Sequence, residues 1–107
     1  SNGLRGMNGT PAFMAPEVIR GKGYGKKADI WSVGCLVVQM VTALPPWNEL
    51  STAAAVMFRT VYHTPQIPTG MSDDGAAFLL ECFCKEATAR PSAEQLRGHR
   101  WLPADLD

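Results

Sequence analysis

The chain has 107 residues, 46% of them hydrophobic, which is enough for one domain built around one core. Ten Lys and Arg balance ten Asp and Glu, and the small cluster Lys22, Lys26 and Lys27 reads as a solvated loop, so nucleic acid is excluded as an expected partner. The longest apolar run, Val33 to Leu44, contains Gln39 and Thr42 and falls short of the ~20 residues that span a bilayer, so no membrane partner is expected.

Residues 1–9 carry Gly3, Gly6 and Gly9 without apolar periodicity, and read as a flexible loop that opens inside a larger unit. The polar, glycine-rich start is no signal peptide, and a cytoplasmic protein is expected. The next stretch, Gly9-Thr10-Pro11-Ala12-Phe13-Met14-Ala15-Pro16-Glu17, is dominated by backbone constraints. Pro11 and Pro16 fix φ and delete an N–H, while Thr10 and Ala15, each preceding a proline, are pushed out of the α region. A stiff, extended loop is expected. Such a loop suits holding another chain, although Pro/Gly segments also serve as plain connectors.

Glu17-Val18-Ile19 begins a short helical or turn segment, and the glycine loop 21–25 follows. Asp29 is placed to cap a helix or to accept backbone N–H bonds. From Ile30 to Leu44 apolar residues fill almost every position, a pattern that predicts burial on most sides. The valines make a strand the rival reading, but the length favours a helix. Gly34 marks the close approach of another backbone, and Pro45-Pro46 ends the element. Trp47 lies in a loop, as a packing residue or a partner contact. Ser51 offers an N-cap to a helix through Ala53, Val56, Met57 and Val61, and residues 63–71 are irregular. Ser72 caps another helix, with Asp73 and Asp74 in its first turn and Phe78, Leu79, Cys82 and Phe83 on its apolar face. Ser92 and Gln95 match a capping box, in a helix that Gly98 ends. Trp101 and Leu102 pack back, and residues 104–107 form a tail.

This gives a mainly α fold of four or five helices, with no repeat and no convincing strand. Cys35, Cys82 and Cys84 form no Cys-x-x-Cys pair; Cys82 and Cys84 would point roughly 200° apart on a helix, so they clamp no metal. Reduced thiols are expected. His63 and His99 read as surface or capping residues, Ser32 as a helix residue bonding locally, and Met40 and Met57 as core filler.

Four motifs in register carry a resemblance: Gly-Thr-Pro-x-Phe-Met-Ala-Pro-Glu at 9–17, Asp-Ile-Trp-Ser-Val-Gly at 29–34, Pro-Pro-Trp at 45–47 and Arg-Pro-Ser at 90–92. In order and spacing they resemble the helical C-terminal lobe of a protein serine/threonine kinase, whose Ala-Pro-Glu triplet is a signature. The stretch Gly23 to Cys35 is similar to the MAP kinase kinase kinase (MEKK-like) branch. The resemblance implies a partial kinase domain over 1–103, within an ATP- and Mg²⁺-dependent enzyme of a MAP kinase-type cascade. It also implies a protein substrate, itself a downstream kinase.

Residue by residue, the resemblance implies that Gly9, Thr10, Pro11, Ala12, Phe13 and Met14 receive the substrate residue after the acceptor. Thr10 resembles the threonine whose hydroxyl supports the catalytic aspartate and lysine. Glu17 resembles the acid that pairs with a distant arginine, here Arg90. Asp29, at the head of the central helix that also holds Trp31 and Gly34, resembles the acid that accepts N–H bonds from the catalytic loop. Ala12 stands where an aromatic is common in this branch, which widens the substrate pocket. No hydroxyl lies between Asn2 and Asn8, where relatives often carry an activating phosphosite. These residues contain no glycine-rich nucleotide loop, His-Arg-Asp loop or Asp-Phe-Gly, so no catalytic, cofactor-binding or metal-binding residue is assigned here, and the N-lobe and catalytic loop are expected from elsewhere in the protein. The alternative is a catalytically inactive kinase-like scaffold, favoured by the missing hydroxyls and by Ala12.

Overall fold

Two prolines set where the first helical pieces begin. Pro11 opens a 3₁₀ turn, Pro11–Phe13, and Pro16 is the first residue of α1, Pro16–Ile19. A residue without an N–H loses nothing in a first turn, where that donor has no partner. Ala15, between them, is extended at φ −73° and ψ 156°, as the proline after it requires. The segment is therefore two turns hinged at Ala15 and not the extended loop expected, because proline's fixed φ suits a first helical turn equally well.

The computed structural model describes residues 11–103, and among them the fold is helical with no strand. After α1 come α2 (Lys26–Thr42), α3 (Ala53–Tyr62), α4 (Asp73–Cys82) and α5 (Ala93–Arg97). The expected loop 1–9 and tail 104–107 fall outside the described residues, as do Gly9 and Thr10. Helix α2 packs on α4 and on the 11–13 turn, and α3 packs on α1 and the same turn.

Helix α2 starts earlier than its apolar run suggests. Gly25 is the N-cap, without a side-chain bond, so Asp29 caps nothing; it sits exposed in the first turn, where the helix dipole favours its charge. The helix stops at Thr42 on Ala43 in the left-handed conformation (φ 67°), before either proline is reached.

Burial divides α2 lengthwise. Ile30, Trp31, Gly34, Cys35 and Val38 are buried, whereas Val33, Leu36, Met40 and Val41 are exposed, Met40 by 72%. The expectation of burial on most sides is corrected to burial along one face, and Met40 is not core filler. The described residues supply neighbours on that face alone: α4, the 11–13 turn and the 83–90 loop.

The core centres on Trp31, which is wholly buried and meets Phe83 edge-on at 5.1 Å. Phe78, Leu79, Cys82 and Phe83 are all buried, as the period of α4 predicts. Phe78 also meets Trp101 at 4.9 Å and His99 at 5.3 Å. Of the two readings expected for His99, surface or capping, the surface one is corrected: His99 is buried, and its Nδ1 accepts the backbone N–H of Trp101 at 3.0 Å. The caps of α4 and α5 form as the sequence predicts: Ser72 Oγ accepts from Gly75 N at 3.0 Å, and Ser92 with Gln95 completes a capping box at 2.8 and 3.1 Å. Helix α3 is capped one residue later than expected, by Thr52 and not Ser51, its hydroxyl accepting from Ala55 N at 3.1 Å.

Gly34 marks a close approach, of side chains and not of backbone. A Cβ there would lie 2.8 Å from both Cys82 Cβ and Phe83 Cε1. Gly34→Ala would gain ~1 kcal/mol of helix propensity, but forcing α2 from α4 costs ~1–3 kcal/mol and outweighs it. A lower denaturation midpoint is the expected outcome in chemical unfolding; a raised midpoint would refute the tight contact. At Ala43 the sign reverses. Ala43→Gly removes the steric cost of the left-handed conformation, ~1 kcal/mol, and should raise the same midpoint.

Candidate functional site

The Arg90 guanidinium is the most heavily engaged group among the described residues. Arg90 is 1% exposed, inserted between α1, the start of α2 and the 84–90 loop. Its Nη1 donates to Glu17 Oε2 at 2.8 Å and to Lys27 O at 2.7 Å. Its Nη2 donates to Glu17 Oε1 at 3.0 Å and to Lys85 O at 3.4 Å, and its Nε to Cys84 O at 2.8 Å. The two-pronged pairing of Glu17 with Arg90 is the fork-to-carboxylate geometry in which both partners keep their charge. The guanidinium also lies 5.3 Å from the centre of the Trp31 ring.

Burial by itself would raise the Glu17 carboxyl pKa. The hydrogen bond from Arg90, a backbone N–H bond and the guanidinium charge together overcome that effect and hold it below its ordinary value.

Lys27 and Lys85 reinforce the same loop. Lys27 Nζ donates to Arg90 O at 2.6 Å and Ala87 O at 3.1 Å, so Lys27 belongs to this junction and not to a solvated basic loop. Lys85 Nζ donates to Thr60 O at 2.9 Å and to His63 O, tying the end of α3 to the loop. Burial, with the nearby Arg20 charge, pulls the Lys85 pKa down.

The 11–14 turn is fixed from the other side by α2. Ser32 Oγ donates to Phe13 O at 2.8 Å, and Cys35 Sγ to Ala12 O at 3.5 Å. Ser32 does not bond within its own helix as expected; it reaches the turn. Burial, together with the neighbouring Cys82, pushes the Cys35 thiol up to about 12, so it remains an S–H donor. Burial, followed by Glu81, pushes Cys82 likewise up to about 12, and all three cysteines are free.

Of the residues expected to meet substrate, Pro11, Ala12 and Phe13 are half-buried and lie together in the turn, whereas Met14 is 4% exposed and buried. Gly9 and Thr10 lie outside the described residues. Trp31 and Gly34 sit in the core beneath the turn, and Asp29 is apart from them on the exposed side of α2. Sequence reasoning missed Ser32, Cys35 and Lys27. All three have polar atoms on an otherwise packed helix face, the one signal that could have raised them.

Breaking the ion pair should be costly, because Arg90 would keep a buried charge without its counter-ion. Glu17→Gln should cost ~3–5 kcal/mol at neutral pH. The carboxyl pKa is depressed in the folded state, so its contribution is complete above the ordinary value of about 4.5 and is lost as pH falls through the folded value. The gap between wild type and variant should therefore close as pH drops below about 4.5, read by denaturant unfolding across a pH series. A gap independent of pH would refute the pairing as its source. Ser32→Ala, which removes one bond to the turn, should cost ~1 kcal/mol and speed amide hydrogen exchange at Phe13 and Met14. Unchanged exchange would show that the turn does not depend on it.

Comparison with known proteins follows this geometry. The chain is similar to Mitogen-activated protein kinase kinase kinase 3 of Homo sapiens, at 49% identity over 100 residues covering 92% of this chain. It is 44% identical over 101 residues to Mitogen-activated protein kinase kinase kinase A of Dictyostelium discoideum, and 42% over 104 residues to Mitogen-activated protein kinase kinase kinase 17 of Arabidopsis thaliana, covering 92% of this chain each time. It spans 16%, 11% and 28% of the lengths of these curated relatives. The family model for the protein kinase domain matches residues 1–102, and with nearly the whole chain so matched, it belongs to the protein kinase family.

Proposed function

We propose that this chain is the helical C-terminal portion of an ATP-dependent serine/threonine protein kinase acting in a MAP kinase-type cascade, and that it supplies the loop that seats the protein substrate. The match of the protein kinase domain over residues 1–102 carries the reading. The pinned turn at 11–13 supports the substrate role. Two of its main-chain carbonyls are held by Ser32 and Cys35 while part of its surface stays open, so it can position a peptide at little further entropic cost. In this reading Gly9 to Phe13 lie along the substrate, buried Met14 anchors the end of the loop, and Thr10 supports the reacting groups. Glu17 and Arg90 tie the far end of the loop to the lobe, and residues 1–103 are part of one kinase domain.

The substrate is a protein, a downstream kinase by the resemblance, and the enzyme works inside the cell. No helix among the described residues is long and apolar enough to cross a membrane. ATP and Mg²⁺ belong to the complete enzyme. Among the described residues no group of three or more His, Cys, Asp or Glu could hold a metal ion. Their share of the reaction is to bind and orient the acceptor chain.

The complete protein, incubated with labelled ATP, magnesium and a candidate substrate kinase, should transfer phosphate to serine or threonine. Thr10→Ala should lower that transfer by ~10²-fold, the scale on which small misplacement near the chemistry acts. Absence of transfer by the complete wild-type protein would leave the scaffold reading standing in its place.

A further inference from the structure

Where α1, the end of α3 and the 84–90 loop meet, a cleft of about 290 Å³ opens beside the Glu17–Arg90 pair. Three cations border it: Arg20, Lys22 and Lys85. Two carboxylates share that border, but Glu17 is already held by both prongs of Arg90. Among the described residues Glu86 is the one carboxylate of the lining left uncommitted to a cation. Three positive charges against one uncommitted negative leave the cleft with an excess of two.

Backbone geometry sets two of the cations. Helix α1 ends in a double closure, in which Gly21 N–H donates to Val18 O at 3.0 Å and Lys22 N–H to Glu17 O at 2.9 Å. Between them Gly21 turns left-handed, at φ 73°, which glycine does at no steric cost. Arg20 and Lys22 stand on either side of that turn, and both reach the border of the cleft. The third cation is fixed by its partners. Lys85 Nζ donates to Thr60 O and His63 O, which leaves one of its three donors for a further acceptor. Arg20 and Lys22 are exposed and pair with no carboxylate among the described residues. Burial first, and the Arg20 charge second, pull the Lys85 pKa down. The cations gathered here therefore repel one another, and an anion between them would relieve that repulsion.

We propose that this cleft is a binding site for a phosphate monoester, with Arg20, Lys22 and Lys85 as the groups that hold it. The guanidinium can take two phosphate oxygens at once and each ammonium can take one. A phosphate dianion cancels the excess charge, whereas a single carboxylate would cancel half of it. Pro16, Val61 and Ala87 offer apolar wall to the stem that carries the phosphate. A phosphorylated serine or threonine side chain of a protein therefore fits better than free phosphate, the other source of the same chemistry. No residue from 9 to 14 lines the cleft, so its ligand need not be a substrate. Because Lys85 also ties α3 to the loop that carries Arg90, an occupied site braces the ion-pair junction.

The test is isothermal titration calorimetry on the complete protein at constant ionic strength. Magnesium-ADP is present throughout, so that a nucleotide site elsewhere in the protein does not report. The probes are inorganic phosphate, a phosphoserine flanked by alanines, and the same peptide without its phosphate. The phosphopeptide should bind more tightly than inorganic phosphate, and the unphosphorylated peptide should not bind. Arg20→Gln and Lys22→Gln, at exposed positions, should each weaken phosphopeptide binding by ~10-fold, the scale of one charge-assisted hydrogen bond. Glu86→Gln, also exposed, should act in the opposite sense and tighten it by ~3-fold. Because the substitutions move affinity in opposite directions, a general loss of folding cannot mimic the pattern. Equal binding of phosphate and phosphopeptide, both weakened by Arg20→Gln, keeps the site and makes free phosphate its ligand. No binding of either phosphate probe, or binding that all three substitutions leave unchanged, overturns the proposal.

Discussion

A buried positive charge with a single carboxylate partner governs how this chain is put together. The Arg90 guanidinium is removed from water, so each of its N–H groups must find an acceptor inside the protein. Only one arrangement of α1, the head of α2 and the 84–90 loop brings the Glu17 carboxylate and the carbonyls of Lys27, Cys84 and Lys85 to it together. The ion pair therefore acts as a gauge of correct assembly as well as a source of attraction. Segments that are 73 residues apart are brought into register by it.

The two lysines beside it extend the same logic. Irregular backbone that leaves the solvent must satisfy its carbonyls without a helix or sheet to do so. Lys27 and Lys85 do this for Ala87, Arg90, Thr60 and His63, each with an ammonium group carrying three donors. The 83–92 connection between α4 and α5 is consequently ordered by cations from other parts of the chain. Beneath them the Trp31 indole presents its ring to both Arg90 and Lys85, at 5.3 and 5.7 Å. The apolar core and the charged junction thus share one wall.

How much of this could be read from the sequence depends on the range of the interaction. The caps at Ser72 and Ser92 were legible because donor and acceptor lie within three residues, and the buried face of α4 because its period is local. The Glu17–Arg90 partnership was legible only through family resemblance, since no spacing rule links such distant positions. Ser32, Cys35 and Lys27 were not legible, because the carbonyls they serve are placed by tertiary folding. The uniform apolarity of α2 misled for a physical reason. Composition shows what a helix face prefers, but which face is covered depends on the neighbours available, and those described here cover Ile30, Trp31, Cys35 and Val38 while Leu36 and Met40 remain open. Left-handed backbone at Ala43 and Trp47 had no glycine to announce it.

The bonds from Ser32 and Cys35 grip the 11–13 turn by its peptide oxygens, at Phe13 and Ala12, and by neither side chain. These two bonds do not depend on which residue stands at Ala12, whereas the Phe13 side chain also packs against the core. Natural drift or deliberate engineering can alter the outward chemistry of the turn while its placement stays the same, so recognition here is free to diversify on a mounting that does not need to be rebuilt.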